Sequence, residues 1–185
     1  MIVMGIDPGT AIMGYGVLDY KGSKHIPLTY GVLRTTKEDS TADRLKKLFL
    51  GLNSLIEEYK PEVVAVEELF FNQNVTTATT VGQARGIVLL AASLQNIAVS
   101  EFTPLQVKQA VVGYGRAEKQ QVQFMVQRIL SLKEIPKPDD AADALAIAIC
   151  HCQFGGNHSW RSNKVKQTSW EQVIAQRASQ AQKEK

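Results

Sequence analysis

Ile2-Val3-Met4-Gly5-Ile6-Asp7-Pro8-Gly9-Thr10 is a continuously apolar run that ends on a carboxylate and a Pro-Gly turn. An uninterrupted apolar run of this length reads as a central strand covered on both faces. Proline fixes φ and glycine permits the tight geometry that follows. A carboxylate closing a buried strand is costly unless something neutralises it.

Working outward, residues 15–20 and 26–33 read as two more strands, joined by the hairpin turn Lys21-Gly22-Ser23-Lys24. Residues 41–59 carry Leu45, Leu48, Leu52, Leu55, Ile56 and Tyr59 at helical spacing. Ser40 and Asp43 suit the start of that helix, and Pro61 closes it. Residues 63–66 are a strand ending on Glu67, followed by a loop over 69–74. The spacing predicts a long helix over 76–95, apolar all round within residues 87–92. Its small residues Ala78, Gly82, Gly86 and Ala91 permit close approach, either within the domain or to a second copy of the chain. Residues 97–102 are the last strand, and helices follow at about 104–112, 118–131 and 140–153. Gly113-Tyr114-Gly115 separates the first two, and Pro136 and Pro138 precede the third. Antiparallel strands followed by strand–helix alternation give an α/β fold with a five-stranded mixed sheet flanked by helices.

The 185 residues suit one domain with a real core over residues 1–154. No stretch approaches a membrane span, and no basic leader precedes an apolar segment, so no membrane partner and no secretory signal are expected. Cys150 and Cys152 lie two apart on a helix and point to nearly opposite sides. They are expected as buried free thiols in a reducing, intracellular setting. The net charge of +3 is uneven: residues 155–185 hold six basic and two acidic side chains, so this basic tail carries +4 and the body −1. Any nucleic-acid affinity of the body therefore has to come from a local cluster of cations. The tail, rich in Gln, Ser and Lys, reads as a solvated appendage that could begin a short helix near Trp170.

Four acids carry the chemistry. Asp7 and Glu67 both end strands, and ligands of open α/β sheets bind outside the carboxyl ends of parallel strands. Asp140 and Asp143 are three apart on a helix and share one face near its N-terminus. Taken singly, each has a structural reading, as a turn residue or a first-turn acid. Together they suit Mg²⁺ or Mn²⁺, hard cations that take oxygen ligands, and the two-metal hydrolysis of a phosphodiester.

These residues lie within a set of motifs that resembles one family. The set is Gly5-Ile6-Asp7-Pro8-Gly9-Thr10, Gly14-Tyr15-Gly16, Ala65-Val66-Glu67-Glu68-Leu69-Phe70, Gly82-Gln83-Ala84-Arg85-Gly86, Val107-Lys108-Gln109, Gly113-Tyr114-Gly115-Arg116-Ala117-Glu118-Lys119 and Asp140-Ala141-Ala142-Asp143-Ala144-Leu145-Ala146. It resembles the RuvC family of crossover (Holliday) junction endodeoxyribonucleases over residues 1–154. The resemblance implies an RNase H-like fold, a homodimer, and a Mg²⁺-dependent nuclease acting on four-way DNA junctions in recombination and repair. It implies that Asp7, Glu67, Asp140 and Asp143 are the catalytic, metal-binding carboxylates, with two Mg²⁺ per site. Lys108 and Lys119 match positions that contact DNA phosphates, and Phe70 matches an aromatic that stacks on a base near the crossover. Arg85 falls on the long helix, its role open between structure and DNA contact. The bacterial cytoplasm and the RuvA–RuvB branch-migration complex are the implied setting and partner. Three other readings fit parts of the pattern: an actin-like ATPase, which needs two such domains; an RNase H-like enzyme acting on RNA; and a non-catalytic junction-binding scaffold.

Overall fold

The computed structural model describes residues 1–68 and 75–155. The first three strands are β1 (Ile2–Asp7), β2 (Ile12–Lys21) and β3 (Lys24–Arg34). Helix α1 (Thr41–Tyr59), strand β4 (Val63–Glu67), helix α2 (Val75–Leu94) and strand β5 (Ala98–Phe102) follow, then α3 (Pro104–Val112), α4 (Lys119–Ile129) and α5 (Asp139–Phe154). The five strands form one mixed sheet in the order β3-β2-β1-β4-β5. β1, β2 and β3 are antiparallel neighbours, while β4 runs parallel to both β1 and β5.

Strand β2 begins at Ile12, three residues earlier than its hydrophobicity suggests. Ile12 and Met13 pair with Arg34 and Leu33, so the ladder continues past the apolar stretch. Helix α4 is shorter than predicted, ending at Ile129, because its C-cap Leu130 leaves helical geometry. Ser40 caps α1 as expected, its side chain accepting from the Asp43 backbone N–H at 3.2 Å. Thr103 and Gln106 form a reciprocal capping box that starts α3 directly beyond β5.

Two cores lie on opposite faces of the sheet, and the alternation along β1 assigns its residues to them. Met4 and Ile6 pack with Leu48, Leu52 and Ile56 of α1 and Ala84, Val88 and Ala91 of α2. Val3 packs on the other face with Val107, Val122, Val126 and most of α5. Glycine takes the next position on that face. A Cβ at Gly5 would lie 2.1 Å from the Ala144 carbonyl oxygen, and one at Gly14 would lie 2.0 Å from that of Asp140. At Gly16 the obstacle is the Leu145 side chain, 2.7 Å away. Gly5 and Gly16 are cross-strand partners, and Gly14 is opposite Asp7. These glycines form a trench across β1 and β2 into which α5 sinks until backbone meets backbone.

With the sheet beneath it and α3 and α4 above, α5 is buried from Ala141 to Cys152, apart from a partly exposed Asp143. Cys150 and Cys152 are both buried and free, and both belong to the core on this face of the sheet. Burial first of all pushes both thiols up to about 12. Among the described residues, no helix is long and apolar enough to cross a membrane.

The trench makes a direct prediction. Gly5→Ala forces α5 away from β1, and overpacking of this kind costs on the order of 1–3 kcal/mol or more. The expected result is a melting temperature lowered by several degrees, read by thermal circular dichroism. An unchanged melting temperature would show that α5 does not need this close approach.

Candidate active site

The register of β1 and β4 sets the first pair of acids. Ile6 is level with Val66, so Asp7 and Glu67 stand side by side at the carboxyl ends of adjacent parallel strands. Both follow the side-chain alternation of Val3 and Ala65, which places them on the α5 face. The trench sets the second pair. The Asp140 carbonyl is pressed against Gly14, which is itself opposite Asp7. Asp143, one turn along α5, reaches the same level.

Asp7, Glu67 and Asp143 line one cleft of about 260 Å³, together with Lys108, Lys119, Pro104, Val107 and Val122. Asp140 does not line it but lies close enough to act on Asp7 and Asp143 through its charge. The proximity registers electrostatically. Burial is the largest cause that raises the Asp7 carboxyl, followed by the charges of Asp143, Glu67 and Asp140, to about 7. Burial and then Asp143 raise Glu67, against the pull of Lys108. Burial also raises Asp143, outweighing the hydrogen bond and charge of Lys119 that work to lower it.

Lys119, the first residue of α4, inserts its ammonium among these acids. Its Nζ lies 3.0 Å from Asp143 Oδ2 and 3.3 Å from Asp139 Oδ2. Burial works against the Lys119 charge, but the bonds and charges of Asp143 and Asp139 prevail and raise its pKa. Sequence reasoning missed Asp139. Its signal was available in the i, i+4 spacing to Asp143, but only the fold reveals that a lysine twenty residues upstream lies between them.

A set of hard oxygen donors that depress one another's ionisation suits a hard divalent cation, whose charge would relieve the repulsion. As the side chains stand, no three His, Cys, Asp or Glu groups among the described residues are gathered closely enough to hold a metal ion. Like charges that face one another keep their distance, and Asp143 is drawn towards Lys119.

The remaining residues singled out from sequence fall elsewhere. Arg85 of α2 pairs with Glu101 of β5, away from the cleft. Phe70, the loop that carries it, and residues 156–185 of the tail lie outside the described residues.

The family model described as crossover junction endodeoxyribonuclease RuvC matches residues 3–151. The chain is 61% identical over 160 residues to the crossover junction endodeoxyribonuclease RuvC of Desulforamulus reducens, covering 84% of this chain and 98% of that protein. It is 61% identical over 150 residues to that of Heliobacterium modesticaldum, covering 81% and 93%. Among solved structures, T. thermophilus RuvC in complex with Holliday junction substrate superposes with a TM-score of 0.78 at 37% identity, covering 85% of this chain and 96% of that one. The yeast mitochondrial Holliday junction resolvase Ydc2 shares the fold, with a TM-score of 0.58 at 19% identity over 83% of this chain and 80% of that one.

The crowded acids predict a pH effect in the metal-free protein. Asp7 is raised in the fold from 3.8 to about 7, so the folded state binds more protons than the unfolded state between those values. Stability therefore falls as pH rises through that window, by about 1.4 kcal/mol per unit of pKa difference. In EDTA, Asp7→Asn should raise the melting temperature by several degrees at pH 8 and by much less at pH 4. An equal effect at both pH values would mean that the Asp7 charge is not under strain.

Proposed function

The chain belongs to the RuvC family of crossover junction endodeoxyribonucleases, and on that premise we propose that it resolves four-way DNA junctions by hydrolysing one phosphodiester in each of two opposed strands. The observation that carries this reading is the meeting of Asp7 and Glu67, at the ends of parallel strands, with Asp143 from the first turns of α5 in one cleft. The similarity to a RuvC solved with a Holliday junction substrate supports the choice of DNA substrate. It also disfavours the ATPase, RNA-directed and non-catalytic readings.

Asp7, Glu67, Asp140 and Asp143 would hold two Mg²⁺ ions, or Mn²⁺ in their place. When bound, the metals supply the charge that offsets the developing negative charge on the phosphate. The chain's own residues do the rest. The sheet ends and α5 fix the carboxylates against one another, and the apolar wall of Val107 and Val122 limits water around them. Lys108 and Lys119 stand at the same cleft and meet the phosphate backbone, contacts that position DNA without reading its sequence. Phe70 supplies a stacking surface for a base near the crossover, an interaction worth roughly 1–3 kcal/mol.

A homodimer follows from the task. Two symmetric incisions require two identical sites related by a two-fold axis. Helix α2 offers a face for it. Ala84, Val88, Ala91 and Ala92 turn inward, whereas Leu90 and Leu94 are half exposed or more (50% and 61%). Gly86 is one turn before Leu90 on the same stripe, and a Cβ there would meet nothing within 4 Å of it. Work beside the RuvA–RuvB complex in the bacterial cytoplasm belongs to the same reading.

The decisive experiment is a gel assay on a synthetic four-way junction, with Mg²⁺ and with EDTA, mapping both cuts. Wild type should cut symmetrically in Mg²⁺ only. Asp7→Asn should bind the junction at near wild-type affinity and lose cleavage by at least about a thousandfold, the scale on which removal of charge stabilisation acts. Cleavage by this variant near the wild-type rate would sink the reading. Lys119→Ala should make the salt dependence of junction binding shallower by roughly one ion per site; an unaltered slope would remove Lys119 from the phosphate contacts. Leu90→Arg should shift the protein towards monomer in sedimentation and abolish paired incision. A dimer that persists in this variant would exclude this face of α2.

A further inference from the structure

Two carboxylates grip Lys119, and only one of them belongs to the proposed metal set. Asp139 and Asp143 are four apart, one turn along α5, and flank the ammonium at 3.3 and 3.0 Å. Lys119 needs such an anchor. It is the first residue of α4, where the positive end of the helix dipole disfavours a cation, and its long side chain has many solvated rotamers. Asp139 is the first residue of α5, where the dipole favours an anion. The Lys119–Asp139 pair is 53% and 60% exposed, so it contributes little to stability. Its consequence is placement.

We propose that Asp139 is a positioning residue that keeps the Lys119 ammonium at the rim of the acidic cleft when Asp143 is engaged by a divalent cation. Asp143 alone cannot serve both the metal and the lysine with the same lone pairs. Asp139 does not line the cleft and remains available throughout. The inference rests on the metal and phosphate roles proposed above, and it can be tested apart from them.

The first readout needs neither metal nor cleavage. Acetylation of Lys119 by an amine-reactive ester is followed by mass spectrometry in EDTA. Asp143→Asn mimics an Asp143 engaged elsewhere; Lys119 should stay protected in this variant, because Asp139 still holds it. In the double variant D139N/D143N its reactivity should rise several-fold. Equal reactivity in the two proteins would overturn the proposal, whatever the enzyme cleaves. The second readout separates positioning from simple charge. Removing a negative charge beside DNA favours binding, so Asp139→Asn should bind the junction as tightly as wild type or more tightly. Its single-turnover cleavage in Mg²⁺ should nevertheless be several-fold slower at saturating protein, with an unchanged melting temperature. Asp139→Glu should restore the rate, and Asp139→Asn should cost little or nothing further in a Lys119→Ala background. Wild-type cleavage by Asp139→Asn, or fully additive losses, would overturn the proposal. Failure of wild type itself to cut junctions would count against the proposed function and leave the labelling result to decide the role of Asp139.

Discussion

Everything at the cleft depends on how closely α5 approaches the sheet. Helices pack on sheets through layers of side chains, but here Gly5, Gly14 and Gly16 remove that layer along one line. The carbonyls of Asp140 and Ala144, one helical turn apart, lie over Gly14 and Gly5. This contact fixes the height and the rotation of α5 together. Rotation would bring the side chains at neighbouring positions of α5 against the sheet, and sliding would carry the acids past the ends of β1 and β4. The small residues Ala141, Ala144 and Ala148 serve the same fit from the helix side. A backbone contact is rigid because no rotamer can absorb a displacement. The site is thereby held by elements of the core, and its carboxylates need no support from a loop.

That rigidity has an electrostatic cost, visible in the raised acids. Desolvation and mutual repulsion bring Asp7 to about 7, a state that a folding chain would avoid if stability alone mattered. Two cations of the chain partly offset it: Lys119 against Asp7 and Asp143, and Lys108 against Glu67. Neither matches the charge of the acids it faces. The imbalance leaves the cleft with an excess of negative charge, which under the proposed function the metals would offset while the two lysines would face phosphate.

The sequence made some of this legible and concealed the rest, for reasons that differ residue by residue. The central strand was readable because Ile2 to Ile6 is apolar throughout, and a strand covered on both faces leaves that mark. Asp7 and Glu67 were readable because a carboxylate at the end of such a run is conspicuous. The start of β2 was not, since Gly14 cuts Ile12 and Met13 off from the apolar run and looks like a loop residue; in the fold it is a strand residue emptied to admit a helix. Two glycines spaced two apart, opposite a third, are the trace that trench left in the sequence. The Lys119–Asp139 contact was hidden for another reason. It joins the first residues of two helices across a connection whose path no periodicity encodes. Arg85 was left open, and its pairing with Glu101 ties α2 to the edge strand β5.

The charge distribution bears on how such a protein can select a junction from duplex DNA. Residues 1–154 carry a net −1, so the body has no overall excess of positive charge to draw in any duplex at long range. Its cations at the cleft are few and sit beside acids, which repel phosphate wherever the geometry is wrong. Under the proposed function, binding then has to accumulate from two cleft-sized contacts presented in a fixed relation by a dimer. Linear duplex can satisfy one such contact, whereas a four-way junction presents two strands related by symmetry. Two contacts joined in one frame reinforce each other only where the geometry lets both engage, and the gain is lost where it does not. A near-neutral body is thus compatible with a DNA-resolving role, in which selection of a junction would rest on geometry more than on net charge.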